Sequence, residues 1–294
     1  MASEVYYWKE RSCLVEVNTQ QADVQYWENL WLENLDVASV RKSAKQSFLV
    51  KIIKAHLPQN SWVLEGGTGT GYNVLALQEA GYRATGIDYA EQTIARVHSL
   101  FPEIDVRVGN IFHLDFEDHT FDAVFSPGVI EHFWNGYSEI IAESYRVLKP
   151  GGFLFISTPT MSLLRKWKAF LHLYPGWKDG KNEPENFFQF VLPPENIIES
   201  CSRFSFDYIK KYNMGGWLGT LAIELGITQR KEKLPSGFSL KMQKTRTIDF
   251  VKSFFSPLFD PIVSHCALLV FKKRETCPSG VKASETDVRN TETE

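Results

Sequence analysis

The sequence predicts an α/β fold in which a mostly parallel sheet is covered by helices on both faces. Three observations carry that expectation. Short apolar runs alternate with helical patterns from about Val37 to Pro159, the connections between them are short, and glycine or proline closes the helical stretches.

Each element can be justified in order. Val40 to His56 places Phe48, Leu49, Ile52 and Ile53 at helical spacing and ends before Pro58. Trp62-Val63-Leu64 is a short buried strand that runs into glycines. The spacing predicts a helix over 72–80, closed by Gly81 as a C-terminal glycine cap. Ala84 to Ile87 forms a second strand, and Glu91 to Leu100 a helix stopped before Pro102. Val106 to Val108 is a third strand, and Phe121 to Phe125 a fourth, followed by a helix from about Tyr137 to Leu148. Lys149-Pro150-Gly151-Gly152 is a turn, and Phe153 to Ser157 is a fifth strand.

Around this core the texture changes, which divides the chain into four zones. Residues 1–36 are rich in Trp and Tyr, residues 37–160 form the alternating core, residues 161–272 are irregular, aromatic and interrupted by proline, and residues 273–294 are polar. The last zone lacks aromatics and reads as a disordered tail. The chain has 294 residues, 44% hydrophobic and 23% charged, with a formal net charge of -3. That balance offers no global attraction to nucleic acid. The start carries no basic-then-apolar leader, and no apolar run approaches the roughly 20 residues that span a bilayer. Cys13, Cys201, Cys266 and Cys277 sit at no metal-ligand or redox spacing, so they read as buried or idle thiols in a cytoplasmic protein.

The chemistry concentrates at the strand ends. Glu65-Gly66-Gly67-Thr68-Gly69-Thr70-Gly71 joins the first strand to a helix, an arrangement that lets an extended cofactor approach the backbone. A dinucleotide fingerprint would need a third glycine where Tyr72 stands, and the Gly-Lys-Ser/Thr of a P-loop is absent. Asp88 ends the second strand, where a carboxylate accepts hydrogen bonds from ribose hydroxyls. Asn110 follows the third, where an amide oxygen can accept an adenine amine. Singly, these are also ordinary turn formers and helix N-caps. Together they fall at the ends of consecutive strands.

From Val63 to Thr158 the chain resembles class I S-adenosylmethionine-dependent methyltransferases, most of all the small-molecule branch with the quinone-biosynthesis enzymes. The resemblance rests on Val63 to Gly71, Gly86-Ile87-Asp88, Gly109-Asn110-Ile111, Phe121 to Val124 leading to Val129-Ile130-Glu131-His132, and Leu148 to Gly152. It implies a Rossmann-like, doubly wound, mostly parallel seven-stranded sheet with an antiparallel last strand, plus an N-terminal lid and C-terminal helical insertions. The two last strands would match Ser205 to Tyr212 and Cys266 to Lys272. S-adenosyl-L-methionine would be the cofactor. Glu65 would hold its ammonium directly or through water, while Gly66, Gly67 and Gly69 let it lie against the backbone. Asp88 would take the ribose, Tyr89 would lie beside the adenine, and Asn110 with Ile111 would read its edge. Ser126, Pro127 and Gly128 would border the sulfonium. The family more often carries Asp at Glu65, Cys at Thr68 and Asp at Asn110, mild departures that keep an acceptor or a small side chain.

Methyl transfer needs a base only when the nucleophile arrives protonated. His132, whose ordinary pKa suits proton transfer near neutrality, is the leading candidate, with Glu131 behind it; a structural role for both is the other reading. Ser126-Pro127-Gly128-Val129 stands where enzymes that methylate base amines carry Asn/Asp-Pro-Pro-Tyr/Phe. Ser126 and Ser157-Thr158-Pro159 offer a hard cation no carboxylate, so no metal is expected. Tyr26, Trp27 and Trp31 would form a lid over the cofactor or simply pack as core, and Phe188 would line the acceptor site. Leu163, Trp167, Phe170, Leu171 and Tyr174 share one helical face, with Arg165, Lys166 and Lys168 off it. That face is expected to cover a pocket or core; peripheral membrane contact is the lesser alternative. The expected partner is a small-molecule or lipid-like methyl acceptor and not nucleic acid. A non-catalytic cofactor-binding subunit would share every cofactor residue.

Overall fold

A computed structural model describes residues 4–33, 35–178, 180, 182–214, 224, 259–260 and 262–275. The central sheet has seven strands: β3 (Trp62–Gly66), β4 (Arg83–Asp88), β5 (Asp105–Val108), β6 (Phe121–Pro127), β7 (Leu148–Pro159), β9 (Phe206–Met214) and β10 (Cys266–Lys273). Their order is β5-β4-β3-β6-β7-β10-β9. β3 to β7 pair in parallel, and β10 runs antiparallel to both β7 and β9. The reversal falls between β3 and β6, which opens a crevice at their carboxyl ends.

The central strands β3, β6 and the second half of β7 are buried on both faces and read as largely apolar runs, whereas the edge strand β5 is exposed at Arg107 and Val108. One hydrophobic cluster lies on each side. Leu64, Val124, Leu154, Ile156 and Leu269 point to one, and Val63, Ala123, Phe125, Phe155 and Leu268 to the other. The alternation of neighbouring residues between clusters is the period-2 pleat of a strand. Helices α4 (Tyr72–Glu79), α5 (Glu91–Leu100) and α6 (Ser138–Val147) fall close to their expected positions, and α8 (Pro194–Arg203) is a further helix that the sequence reading did not mark. Gly81 closes α4 in the left-handed region, with φ of 86°.

The single helix expected from Val40 to His56 is two, α2 (Val37–Lys45) and α3 (Leu49–Lys54). Asp36 caps the first by accepting from the Ser39 N–H at 3.0 Å, and Ser47 in the break donates to Asn73 Oδ1 at 2.8 Å. Residues 4–17 form a hairpin, β1 (Glu4–Trp8) and β2 (Cys13–Val17), that adds β8 (Phe187–Val191) to make a second, three-stranded sheet. Trp31 of α1 (Val24–Glu33) stands against the glycine loop, and the described part of the insertion after β7 holds both helix and strand. Phe187 and Phe190 pack with Trp8 and Trp134 in the core of that small sheet. Cys13 and Cys201 are buried thiols and Cys266 is half-buried. Cys277 and the polar tail from residue 276 onward lie outside the described residues.

Helix α7 (Leu163–Phe170) reverses the expected orientation. Its apolar face was expected to turn inward, yet Leu163, Trp167, Phe170 and the following Leu171 are 58%, 65%, 76% and 44% exposed, while Arg165 is fully buried. The cause is a specific set of partners. Arg165 donates to Glu224 Oε1 at 2.8 Å, to the Thr160 carbonyl at 2.9 Å and to the His265 carbonyl at 3.1 Å, and meets His265 Nδ1 at 2.9 Å. A buried guanidinium is tolerated only when paired in this way, so the ion pair sets the helix rotation. Ser162 caps the helix by accepting from the Arg165 N–H.

Candidate functional site

The glycine loop is built from below. Glu65 at the end of β3 is 1% exposed, and its two oxygens accept from Thr68 Oγ1 and Asn73 Nδ2, both at 2.7 Å. The carboxyl therefore braces the loop from beneath, and each of its oxygens keeps a second lone pair. Burial pushes its pKa up to about 8, against the lowering effect of its two hydrogen bonds. Gly67 and Thr68 donate their N–H groups to the Ile87 carbonyl at 2.9 Å, which fastens the loop to β4. Close approach there requires Gly86, because a Cβ at that position would fall 2.6 Å from Thr68 Oγ1. Asn73 was legible only as a polar residue inside an otherwise apolar helical run.

The loop turns through left-handed backbone at Gly67 and Gly69, with φ of 75° and 50°. Two residues stand against it. A Cβ on Gly67 would meet Val129 at 2.5 Å, and one on Gly69 would meet the Trp31 indole at 2.9 Å. Helix α1 is thus seated on the loop. Glu28 of that helix accepts from the Gln92 N–H at 2.9 Å, at the N-terminus of α5, where a carboxylate is favoured by the helix dipole. Neither Glu28 nor Val129 was singled out by the sequence.

Asp88 ends β4 with 5% exposure. Its Oδ2 accepts from the Gly69 N–H at 2.8 Å, and its Oδ1 from the Ala90 N–H at 3.0 Å. One carboxylate joins the loop to the start of α5, and each oxygen keeps a second lone pair. Tyr89 is 39% exposed beside it. Asn110 is exposed after β5, its Oδ1 accepting from the Phe112 N–H at 2.9 Å, and Ile111 packs under Gly66. Ser126 and Pro127 end β6. Ser126 Oγ is buried without a hydrogen-bond partner, and so is Glu131 Oε2 in the 3₁₀ turn Ile130–His132 that follows. Burial raises the Glu131 pKa to about 8.

His132 faces the aromatic residues of α1 and β8. Its ring centroid lies 4.8 Å from Trp27 and 5.4 Å from Phe188; Tyr26 meets Phe188 at 5.9 Å, and Trp27 stacks with Trp31 at 5.8 Å. Thus Tyr26, Trp27, Trp31, Phe188 and His132 come together from three distant stretches of chain. His132 Nδ1 lies 2.7 Å from the Phe188 carbonyl. A carbonyl only accepts, so Nδ1 carries the proton and Nε2 holds the lone pair. Desolvation lowers the His132 pKa from 6.5, the ordinary value on which the sequence reading rested, to about 4. Gln189 donates to the buried Glu16 at 2.8 Å beside this cluster, a pair the sequence reading missed because β2 and β8 lie so far apart in the chain.

The chemistry present suits an adenosyl cofactor. A carboxylate ends the second strand of the core sheet, an amide follows the third, the glycine turn presents bare backbone faced by Val129 and Trp31, and orphaned polar atoms border the fourth. Together with the sheet order, these residues define the class I S-adenosylmethionine-dependent methyltransferase fold. Residues 64–156 match the methyltransferase domain family. It is 39% identical over 105 residues to a probable S-adenosylmethionine-dependent methyltransferase of Mycolicibacterium smegmatis, covering 36% of this chain and 40% of that protein. It is also 37% identical over 121 residues to the ubiquinone biosynthesis O-methyltransferase of Hydrogenovibrio crunogenus, covering 38% of this chain and 47% of that protein. The chain therefore spans less than half the length of these two relatives. A crystal structure of an S-adenosylmethionine-dependent methyltransferase from Methanosarcina mazei aligns with a TM-score of 0.51 at 19% identity, over 76% of this chain and 98% of that one, a likeness of fold.

Proposed function

We propose that the chain is an S-adenosylmethionine-dependent methyltransferase acting on a small-molecule or lipid-precursor acceptor. The supporting observation is the double anchorage of Asp88, which ties the glycine loop to α5 at the position where a ribose would sit. When bound, S-adenosylmethionine supplies a methyl group already activated on a sulfonium, so the chain's task is chiefly to position the two reactants in line. Asp88 accepts the ribose hydroxyls with its remaining lone pairs. Asn110 and the backbone of Ile111 read the adenine edge, and Tyr89 covers its face. Gly66, Gly67 and Gly69 provide backbone contact for the methionine part, while Ser126 and Pro127 border the reacting centre. Trp31 and Val129 shift from the loop to make room. The substrate-lining group is Tyr26, Trp27, Trp31 and Phe188, whose flat apolar faces suit an aromatic or unsaturated acceptor.

His132 acts as a hydrogen-bond acceptor through Nε2, orienting an acceptor O–H or N–H. Its depressed pKa makes proton removal a weak contribution. The likeness to a ubiquinone biosynthesis O-methyltransferase supports a hydroxyl oxygen as the group presented. A second reading, a non-catalytic cofactor-binding subunit, draws on the enclosure of His132 by Trp27 and Phe188.

Calorimetry with S-adenosylmethionine and its demethylated product tests the cofactor site. Both ligands should bind, and Asp88→Ala should weaken each at least 100-fold, because two charge-assisted contacts are lost and two N–H groups are left unpaired. No binding of either by folded protein would refute the reading. Transfer of labelled methyl into a metabolite extract separates the enzyme from the subunit.

A further inference from the structure

We propose that the outward face of α7 is a docking surface for an anionic lipid bilayer. The eight-residue helix lies where β7 leaves the central sheet, and its rotation is set by the Arg165–Glu224 pair rather than by burial of its apolar side chains. Leu163, Trp167 and Phe170 consequently face outward, followed by Leu171 and Leu173 at 44% and 62% exposure. Leu163, Trp167 and Phe170, with Leu164, Lys166 and Ile262, border an open groove of about 400 Å³ whose walls are almost wholly apolar. A contiguous patch of large apolar side chains that the described residues leave uncovered marks an interaction surface.

The charge pattern selects the partner. Residues 163–178 contain Arg165, Lys166, Lys168 and Lys178 and no carboxylate. Glu224 is shared between Arg165 and Lys168, so that trio keeps one positive charge. Lys166 meets Glu195 across a solvent-exposed gap of 2.8 Å, a contact weak enough to yield to a lipid phosphate. A short helix with exposed Trp, Phe and Leu and a basic surround has the composition of a segment lying in the headgroup layer. No described helix is long and apolar enough to cross a membrane, which agrees with contact in the plane. A protein groove would be expected to match the basic surround with carboxylates around an apolar centre, and a second copy presents the same positive charge to itself.

Flotation of the full chain with vesicles of phosphatidylcholine containing about one third phosphatidylglycerol tests this independently of any methyl transfer. The wild-type chain should float with these vesicles and release with rising salt, and should bind pure phosphatidylcholine more weakly. Trp167→Ser with Phe170→Ser should lower partitioning at least tenfold, while Ile209→Ser, at an exposed apolar position on β9, should leave it unchanged. Because Trp167 and Phe170 are 65% and 76% exposed, the double variant should melt as the wild type does. A wild-type chain that stays with the unbound fraction overturns the proposal. A double variant that floats like the wild type also overturns it. So does a concentration-dependent dimer in ultracentrifugation that the double variant abolishes, which would assign the face to a second copy. Flotation gained only when Phe254→Ser and Phe255→Ser are introduced overturns it in favour of this chain's own residues 225–258.

Discussion

Replacing Glu131 by Gln keeps the shape of a buried side chain and removes its proton equilibrium. Glu131 is 2% exposed, one of its oxygens has no partner, and burial raises its pKa from 4.5 to about 8. A carboxyl whose folded pKa lies above its unfolded one binds its proton more tightly in the folded chain. Its contribution is fully present below pH of about 4.5 and is lost as pH rises toward 8. Each pH unit inside that window costs up to about 1.4 kcal/mol, so roughly 3 kcal/mol is lost from pH 5 to pH 7. For a chain of this size that is roughly 5–10 °C in melting temperature. The assay is thermal unfolding of the ligand-free wild type and Glu131→Gln in matched buffers from pH 5 to 8. Glu65 shifts in the same direction, but it titrates in both proteins and cancels in their difference. The variant should gain on the wild type steadily as pH rises, whatever constant offset its amide introduces. A difference that stays flat with pH would refute the reasoning, because Glu131 would then be ionised in the folded chain.

Gly69→Ala should weaken S-adenosylmethionine binding at least tenfold in calorimetry and lower the melting temperature. Gly69 holds φ of 50°, and a methyl there would meet Trp31 at 2.9 Å. Arg165→Met should cost about 3–5 kcal/mol in denaturant unfolding by leaving Glu224 without its buried partner, and adding Glu224→Gln should restore part of the loss. Glu224 itself, held down to about pH 2 by Arg165, Lys168 and Tyr174, contributes stability that is present above pH of about 4.5 and lost as pH falls toward 2. Acid titration should therefore flatten in the double variant. His132→Asn should lower kcat/KM about 10- to 100-fold without moving cofactor affinity or the pH profile between 6 and 9. An acid limb that disappears in the variant would assign proton removal to His132.

The sequence disclosed the elements whose determinants are local. Strand ends at Asp88 and Asn110, the helix over 91–100, and the glycine cap at Gly81 all follow from spacing and turn chemistry within a few residues. What it withheld depends on partners far along the chain. Arg165 was placed only off the apolar stripe of its neighbours, and that pattern is silent about Glu224, 59 positions away, and His265, 100 away. The bracing of Glu65 was hidden because its partners, Thr68 and Asn73, are an ordinary threonine and asparagine until the loop folds back over them. The aromatic first zone read as one segment. Its hairpin is defined by pairing with β8, some 170 residues later, whereas α1 is defined by its seat on Gly69.

The position of β10 bears on how the chain reaches its final form. Residues 266–273 fill the slot between β7 and β9, and Leu268, Leu269, Val270 and Phe271 are wholly buried there. During synthesis, β3 to β7 emerge first, and the hydrogen-bonding edge of β7 stays open until some 107 further residues have followed Pro159. The nascent domain must therefore wait with a long apolar edge uncovered, the kind of template that recruits another chain. Truncation anywhere before Cys266 leaves that edge permanently unsealed, so loss of a distal strand should appear as aggregation of the part that carries β3 to β7 and not as a smaller soluble domain.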